Sequence, residues 1–319
     1  MTLPEQRWPA PLRTRPAGRA QGYRRATLAD RCDLLGRIML TPALAYVLLL
    51  AGVPFVLAIM LSFSSATAGG LEFHWVGLRN FREILPDPVF HQAIINTILI
   101  TIVSQIAVMI LATISALVLD AGIRGMRVFR FLLLLPWAVP VSLAALAWVW
   151  MFDSTFSVVN WTLRVLGLMH GWLYWFGDTT LALTAVIVVD IWRMFPFATV
   201  IVLAGLTSIP QDIREAALVD GAGFWRRIFE IEFPLIVPIA SVAVLFGIAF
   251  TATDLTTVYL LTNGGPYNST QVLSTLAFQR GILGGDLGQG AAIALFLLPV
   301  LALATIILLH FARRTEIGS

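Results

Sequence analysis

The 319-residue chain is 58% apolar and only 12% charged, with a mean hydropathy of +0.86. A soluble domain carries roughly 25% charged and about 45–50% apolar residues, so this composition excludes a water-soluble globule. It also excludes a disordered chain, which needs few apolar residues and a high net charge. The net charge is +3 and every one of the 21 basic residues is an arginine. Without a soluble fold and a basic face, that balance does not point to nucleic acid. The lone Cys32 excludes an intrachain disulfide. The histidines (His74, His91, His170 and His310) lack the close spacing of a zinc site, so no metal is expected.

Residues 1–36 are rich in Arg, Pro, Ala and Gly, which predicts a disordered tail. Six apolar runs follow, at 38–63, 93–119, 131–152, 181–206, 234–261 and 291–311. About 20 residues cross a bilayer core, and a single spanning segment must be helical because lipid offers the backbone no hydrogen bonds. The expected fold is therefore all-α: a polytopic membrane protein with six transmembrane helices over residues 37–315. The first run exceeds the roughly 7–15 apolar residues of a signal peptide, so it is expected to stay as a span. With the N-terminus in the cytoplasm, 16 arginines fall on the inner side and 4 outside, with Arg193 within a span. Positive residues stay inside, so both termini are expected to be cytoplasmic.

Within the third run Pro136 and Pro140, and within the fourth Pro196, predict breaks or kinks. The outer segment 155–168 has apolar residues at helical spacing and can lie flat on the membrane. Asp190 falls about 14 Å along the fourth run, near the midplane, and Arg193 one turn later on the same face. The simplest expectation is that these two pair. Asp254 falls about 30 Å along the fifth run, near the outer surface. Thr251, Thr253, Thr256 and Thr257 make that end unusually polar. Ionisable groups within spans mark functional sites. The Gly-rich stretches at 263–266 and 281–290 predict irregular outer loops.

The loop 208–233 has its own logic. Pro210 suits a helix start, and Asp212 and Glu215 favour its positive end. Ile213, Ala216, Ala217 and Asp220 continue at helical spacing, and Gly221 and Gly223 permit a turn. Phe224, Ile228 and Ile231 share one side of a second short helix before Pro234. Spacing alone leaves two readings, an amphipathic connector or a docking element for a cytoplasmic partner.

Glu215-Ala216-Ala217, Gly221 and Ile231-Glu232-Phe233-Pro234 resemble the EAA loop of ABC importer permeases, with Phe233 where Leu is usual. Val76-Gly77-Leu78-Arg79-Asn80-Phe81, Asp87-Pro88, Asn96-Thr97, Leu203-Ala204-Gly205-Leu206 and Asn263-Gly264-Gly265-Pro266 are similar to the maltose-type sugar permeases. Leu273-Ser274-Thr275 and Asp286-Leu287-Gly288 extend the match towards the C-terminus.

The resemblance implies a subunit of the bacterial inner membrane that catalyses nothing and holds no cofactor. ATP and Mg would sit on two partner ATPase subunits. A second, homologous permease and an extracytoplasmic solute-binding protein complete the expected assembly. It assigns Glu215, Ala216, Ala217, Asp220 and Gly221 to ATPase coupling through an EAA coupling helix. The sugar pathway would then draw on Asp190, Arg193, Thr251, Asp254, Thr257 and Trp148. Carboxylates and hydroxyls bind sugar hydroxyls and aromatic faces bind C–H faces, with Tyr259 a further stacking candidate. Trp150 reads as an interface-belt residue. A disaccharide or oligosaccharide is the expected cargo. The alternatives are a polyol, a glycerol phosphate, or an ion-coupled secondary transporter.

Overall fold

The computed structural model describes residues 32–70, 73–122 and 125–317. Their regular structure is helical; the β-type pairing among the described residues is two isolated bridges, Ser64 with Trp75 and Thr67 with Asp286. The chain divides into two units, Met1–Pro54 and Phe55–Ser319. In the first, α1 (Cys32–Val47) runs into a π turn (Leu48–Gly52) and the start of α2 (Val53–Ser62). Most of the expected tail lies outside the described residues. Residues 32–36, assigned to that tail, are helical instead: the helix-breaking prolines Pro4, Pro9, Pro11 and Pro16 all lie upstream.

In the second unit, a short helix α3 (Arg79–Ile84) precedes α4 (Pro88–Asp120). Asp87 caps α4 by accepting the Val89 N–H at 2.8 Å, with Pro88 at the first helical position. The third apolar run is two helices, α5 (Met126–Ala138) and α6 (Val141–Met151), bent by 96°. Pro140 explains the break, because it forces the preceding Val139 into an extended conformation with ψ 135°. Pro136 sits inside α5 and Pro196 inside α8 (Thr179–Ser208), and both helices run through without a break. Between them α7 (Val158–Val165) supplies the helix expected within 155–168, capped by Ser157.

The loop 208–233 carries α9 (Gln211–Val219), then α10 (Phe224–Arg226), which passes through a π turn (Arg227–Glu232) into α11 (Phe233–Thr253). The fifth run was expected to be one helix to residue 261. It stops at Thr253, Asp254 is extended, and α12 (Thr256–Leu261) begins afresh. After α13 (Leu273–Phe278) and a π turn (Gln279–Leu283), the sixth run starts early as α14 (Leu287–Leu295) and continues as α15 (Leu297–Ile317). Among the described residues, five helices are long and apolar enough to cross a membrane, and the bent α5–α6 pair makes a sixth if it is one span.

Helix association in lipid gains nothing from the hydrophobic effect, so small residues that let backbones approach carry the packing. Ala112 and Ala116 of α4 and Ala198 of α8 are buried with Val202, Leu206, Ile236 and Ala243 in one cluster. A Cβ on Gly205 would meet the Ile236 Cβ at 3.3 Å. The expected loop at 281–290 is instead ordered: Gly281 lies in a π turn and Gly290 in α14, and a Cβ on Gly290 would reach the Gly281 Cα at 2.4 Å. The stretch 263–266 is irregular as expected. Asn263 and Gly264 have left-handed φ of 51° and 85°, and the Gly265–Pro266 peptide is cis. Asn96 of α4 pins this loop, donating to the Ser269 and Gln271 carbonyls, each at 2.9 Å.

Candidate functional site

The interruption at Asp254 assembles a buried ionic cluster. Arg193 of α8 donates to the Asp254 carboxylate at 2.7 Å and to Asp190, one turn earlier, at 3.5 Å. Thr251, on the last turn of α11, donates to Asp190 at 2.9 Å. The Thr257 hydroxyl and its backbone N–H at 3.2 Å both donate to Asp254. Ser274, on α13, donates to the Asp254 carbonyl at 3.1 Å. Breaking the helix turns the Asp254 carboxylate onto the Thr257 N–H in the first turn of the next helix, while its backbone carbonyl is taken by a side chain.

Five residues singled out from the sequence thus meet at one place. Asp254 lies in direct contact with Arg193, at the point where the helix Phe224–Thr253 stops. The expected Asp190–Arg193 pair is present, but Asp254 is the closer partner. Asp190 is 3% exposed. Two carboxylates face one guanidinium, and the Arg193 Nε has no hydrogen-bond partner.

Trp148 stands in an aromatic layer and makes no described hydrogen bond to this cluster. It stacks on Phe152 with centroids 5.3 Å apart and meets Trp192, the neighbour of Arg193, edge-on at 5.5 Å. Tyr259 packs edge-on against Phe278 at 5.3 Å. Trp150 is 80% exposed.

The second cluster of expected site residues lies on α9 and the turn after it. Glu215 points outward and accepts from Gln211 at 2.7 Å. Ala216 is exposed and Ala217 buried, so the two alanines serve opposite faces. Asp220 ends the helix, and Gly221 turns the chain with φ 71°. Leu218, Val219, Phe224 and Trp225 are also exposed, leaving an apolar surface beside Glu215.

What fastens α9 to the spans was not legible. Arg214 donates to Asp120, at the end of α4, at 2.7 Å, and to the Leu206 carbonyl of α8 at 2.7 Å. Its Nε lies 3.7 Å from Glu232, which also receives Arg227 at 3.3 Å. Glu232 is buried. Arg214 and Asp120 are 94 residues apart, and no local pattern links them.

Comparison with known proteins follows from this geometry. The family model described as the binding-protein-dependent transport system inner membrane component matches residues 109–317. The trehalose/maltose transport system permease protein MalF of Thermococcus litoralis is 34% identical over 279 residues, covering 88% of this chain and 94% of that protein. The diacetylchitobiose uptake system permease protein DasB of Streptomyces coelicolor is 32% identical over 328 residues, covering 99% of each. Among solved structures, a bacterial ABC transporter that imports the acidic polysaccharide alginate has a chain that superimposes with a TM-score of 0.74. It is 23% identical and spans 90% of this chain and 98% of its own, a likeness of fold.

Proposed function

The chain belongs to the family of binding-protein-dependent transport system inner membrane components, and from that premise we propose that it is one permease of an ATP-driven sugar importer. The observation that carries this is the surface helix α9, with Glu215 and Ala216 outward and Gly221 left-handed at its end. It is a short, partly apolar helix whose outer face is left uncovered by the described residues. A cytoplasmic ATPase docks there, holds the ATP and Mg, and drives alternating access. The arginine bias supports a cytoplasmic position for α9 and both termini.

A second, homologous permease completes the pathway, and a binding protein delivers the cargo from outside. The relatives named for trehalose/maltose and diacetylchitobiose uptake favour a disaccharide or oligosaccharide. The ionic cluster supports a neutral sugar. Its two carboxylates outnumber its guanidinium, so a phosphate ester would meet net repulsion, whereas Asp190, Thr251, Asp254 and Thr257 can exchange their internal hydrogen bonds for sugar hydroxyls.

Co-purification and reconstitution test this reading. The chain should bring down an ABC ATPase and a second permease, and proteoliposomes with the binding protein should take up a labelled disaccharide only with ATP. Uptake driven by an ion gradient, with no ATPase bound, refutes it.

A further inference from the structure

We propose that Arg214 is the strut that carries movement of α9 into the membrane helices, a positioning role distinct from the docking residues on the outer face. This deepens the reading of α9 as an ATPase-docking helix and rests on it. Within α9, Ala217 is buried and Arg214 half-buried, and the other residues are exposed. A displacement applied to such a helix needs a mechanical link, or it is absorbed by the turns at Pro210 and Gly221. Arg214 supplies one. Three of its contacts lie on three different elements: Asp120 at the end of α4, the Leu206 carbonyl near the end of α8, and Glu232 just before α11.

Those are the helices whose other parts form the buried cluster and its surroundings. Arg193 and Asp190 lie on α8, and Thr251 on α11. A shift of Arg214 is therefore felt by both helices that hold the cluster. The planar guanidinium can hold these contacts at once in fixed directions, which a lysine ammonium on a flexible stem cannot. Glu232 is the pivot: its carboxylate has a side-chain exposure of 4% and sits between Arg214 and Arg227. A buried carboxylate held by two arginines loses its compensation when one moves, so the contact favours discrete positions over gradual sliding.

The test uses the full complex in proteoliposomes, with the binding protein outside, and reads ATP hydrolysed per sugar transported. The variants are Arg214→Ala, Arg214→Lys and Glu232→Gln. All three should keep the ATPase at the stoichiometry of the unmodified complex. Arg214→Ala should raise the ATP-to-sugar ratio roughly tenfold, within the usual range of couplings between sites. Arg214→Lys should restore only part of it, and Glu232→Gln should fall between. An unchanged ratio in Arg214→Ala overturns the strut. So does loss of the ATPase from Arg214→Ala with normal coupling in the other two, which makes Arg214 a docking or folding residue. If Arg214→Ala does not assemble, the Lys and Gln variants decide alone. If the unmodified complex shows no ATP-dependent uptake, the parent reading fails, and the strut with it.

Discussion

Arg193 and Asp254 meet at 2.7 Å across 61 residues of sequence, joining the middle of α8 to the point where α11 stops. The pair fixes the helix break: Asp254 is held by Arg193 on one side and by the first turn of α12 on the other. Both side chains are nearly buried, at 13% and 10% exposure. Removing one partner of a buried pair leaves an uncompensated charge and costs about 3–5 kcal/mol. Arg193→Met should therefore lower the thermal unfolding midpoint of the detergent-solubilised complex more than Asp254→Asn, which keeps hydrogen-bonding capacity. If the cluster binds sugar, Asp254→Asn should also raise the KM for uptake. An unchanged KM leaves the cluster a structural lock.

The turn after α9 offers a control within two residues. Gly221 has φ 71° and Gly223 has φ −67°, and a Cβ at either meets nothing within 4 Å. Space is equal, so only backbone conformation differs. A side chain at a left-handed position costs about 1–2 kcal/mol. Gly221→Ala should tilt α9 or fray its end and weaken ATPase retention, while Gly223→Ala behaves as the unmodified chain. Quantitative co-purification reads the difference. Equal retention in both means that the aim of α9 does not depend on this turn.

Glu215→Lys tests charge at the same surface. Glu215 is exposed and its only hydrogen bond described is from Gln211, so its reversal should leave membrane insertion and thermal stability within about 0.5 kcal/mol of the parent, as surface changes do. Sugar-stimulated ATP hydrolysis and uptake should both fall at least several-fold. Full activity in the purified Glu215→Lys complex removes Glu215 from the docking face.

How much was legible in the sequence depends on the range of the interaction. The apolar runs located every long helix, because spanning length is a local property. The EAA segment located α9 to within a few residues. Pro140 marked the break between α5 and α6, but its 96° bend is set by packing. The stop at Thr253 was missed, since Thr-rich residues continue a helix as readily as they end one. Arg214 with Asp120, and Asn96 with the loop after α12, are contacts between residues far apart in sequence, and no spacing rule reaches them.

That loop gives the next expectation. Asn96 is 2% exposed and its amide supplies the Ser269 and Gln271 carbonyls. Asn96→Ala strands buried acceptors at about 1–3 kcal/mol each. Asn96→Asp should be worse, setting a carboxylate against carbonyl oxygens. Limited proteolysis should show faster cleavage within 263–271 in both variants, in that order. Equal protection in all three proteins would show that the cis Gly265–Pro266 loop holds itself.

Two buried glycines separate a yielding neighbour from a rigid one. A Cβ on Gly247 would come within 2.1 Å of the Gln105 side-chain oxygen, and a Cβ on Gly290 within 2.4 Å of the Gly281 Cα. The first clash is closer on paper. Yet Gln105 uses neither of its polar side-chain atoms in a hydrogen bond, so its amide can rotate away and lose nothing it held. Gly281 can retreat only by moving the π turn, and the Ala277 carbonyl at 2.8 Å blocks the other side. Overpacking of a rigid contact costs about 1–3 kcal/mol or more. Gly290→Ala should therefore destabilise the complex more than Gly247→Ala, read as the larger drop in thermal midpoint. The opposite order would mean that Gln105 is held in place by a partner outside this chain.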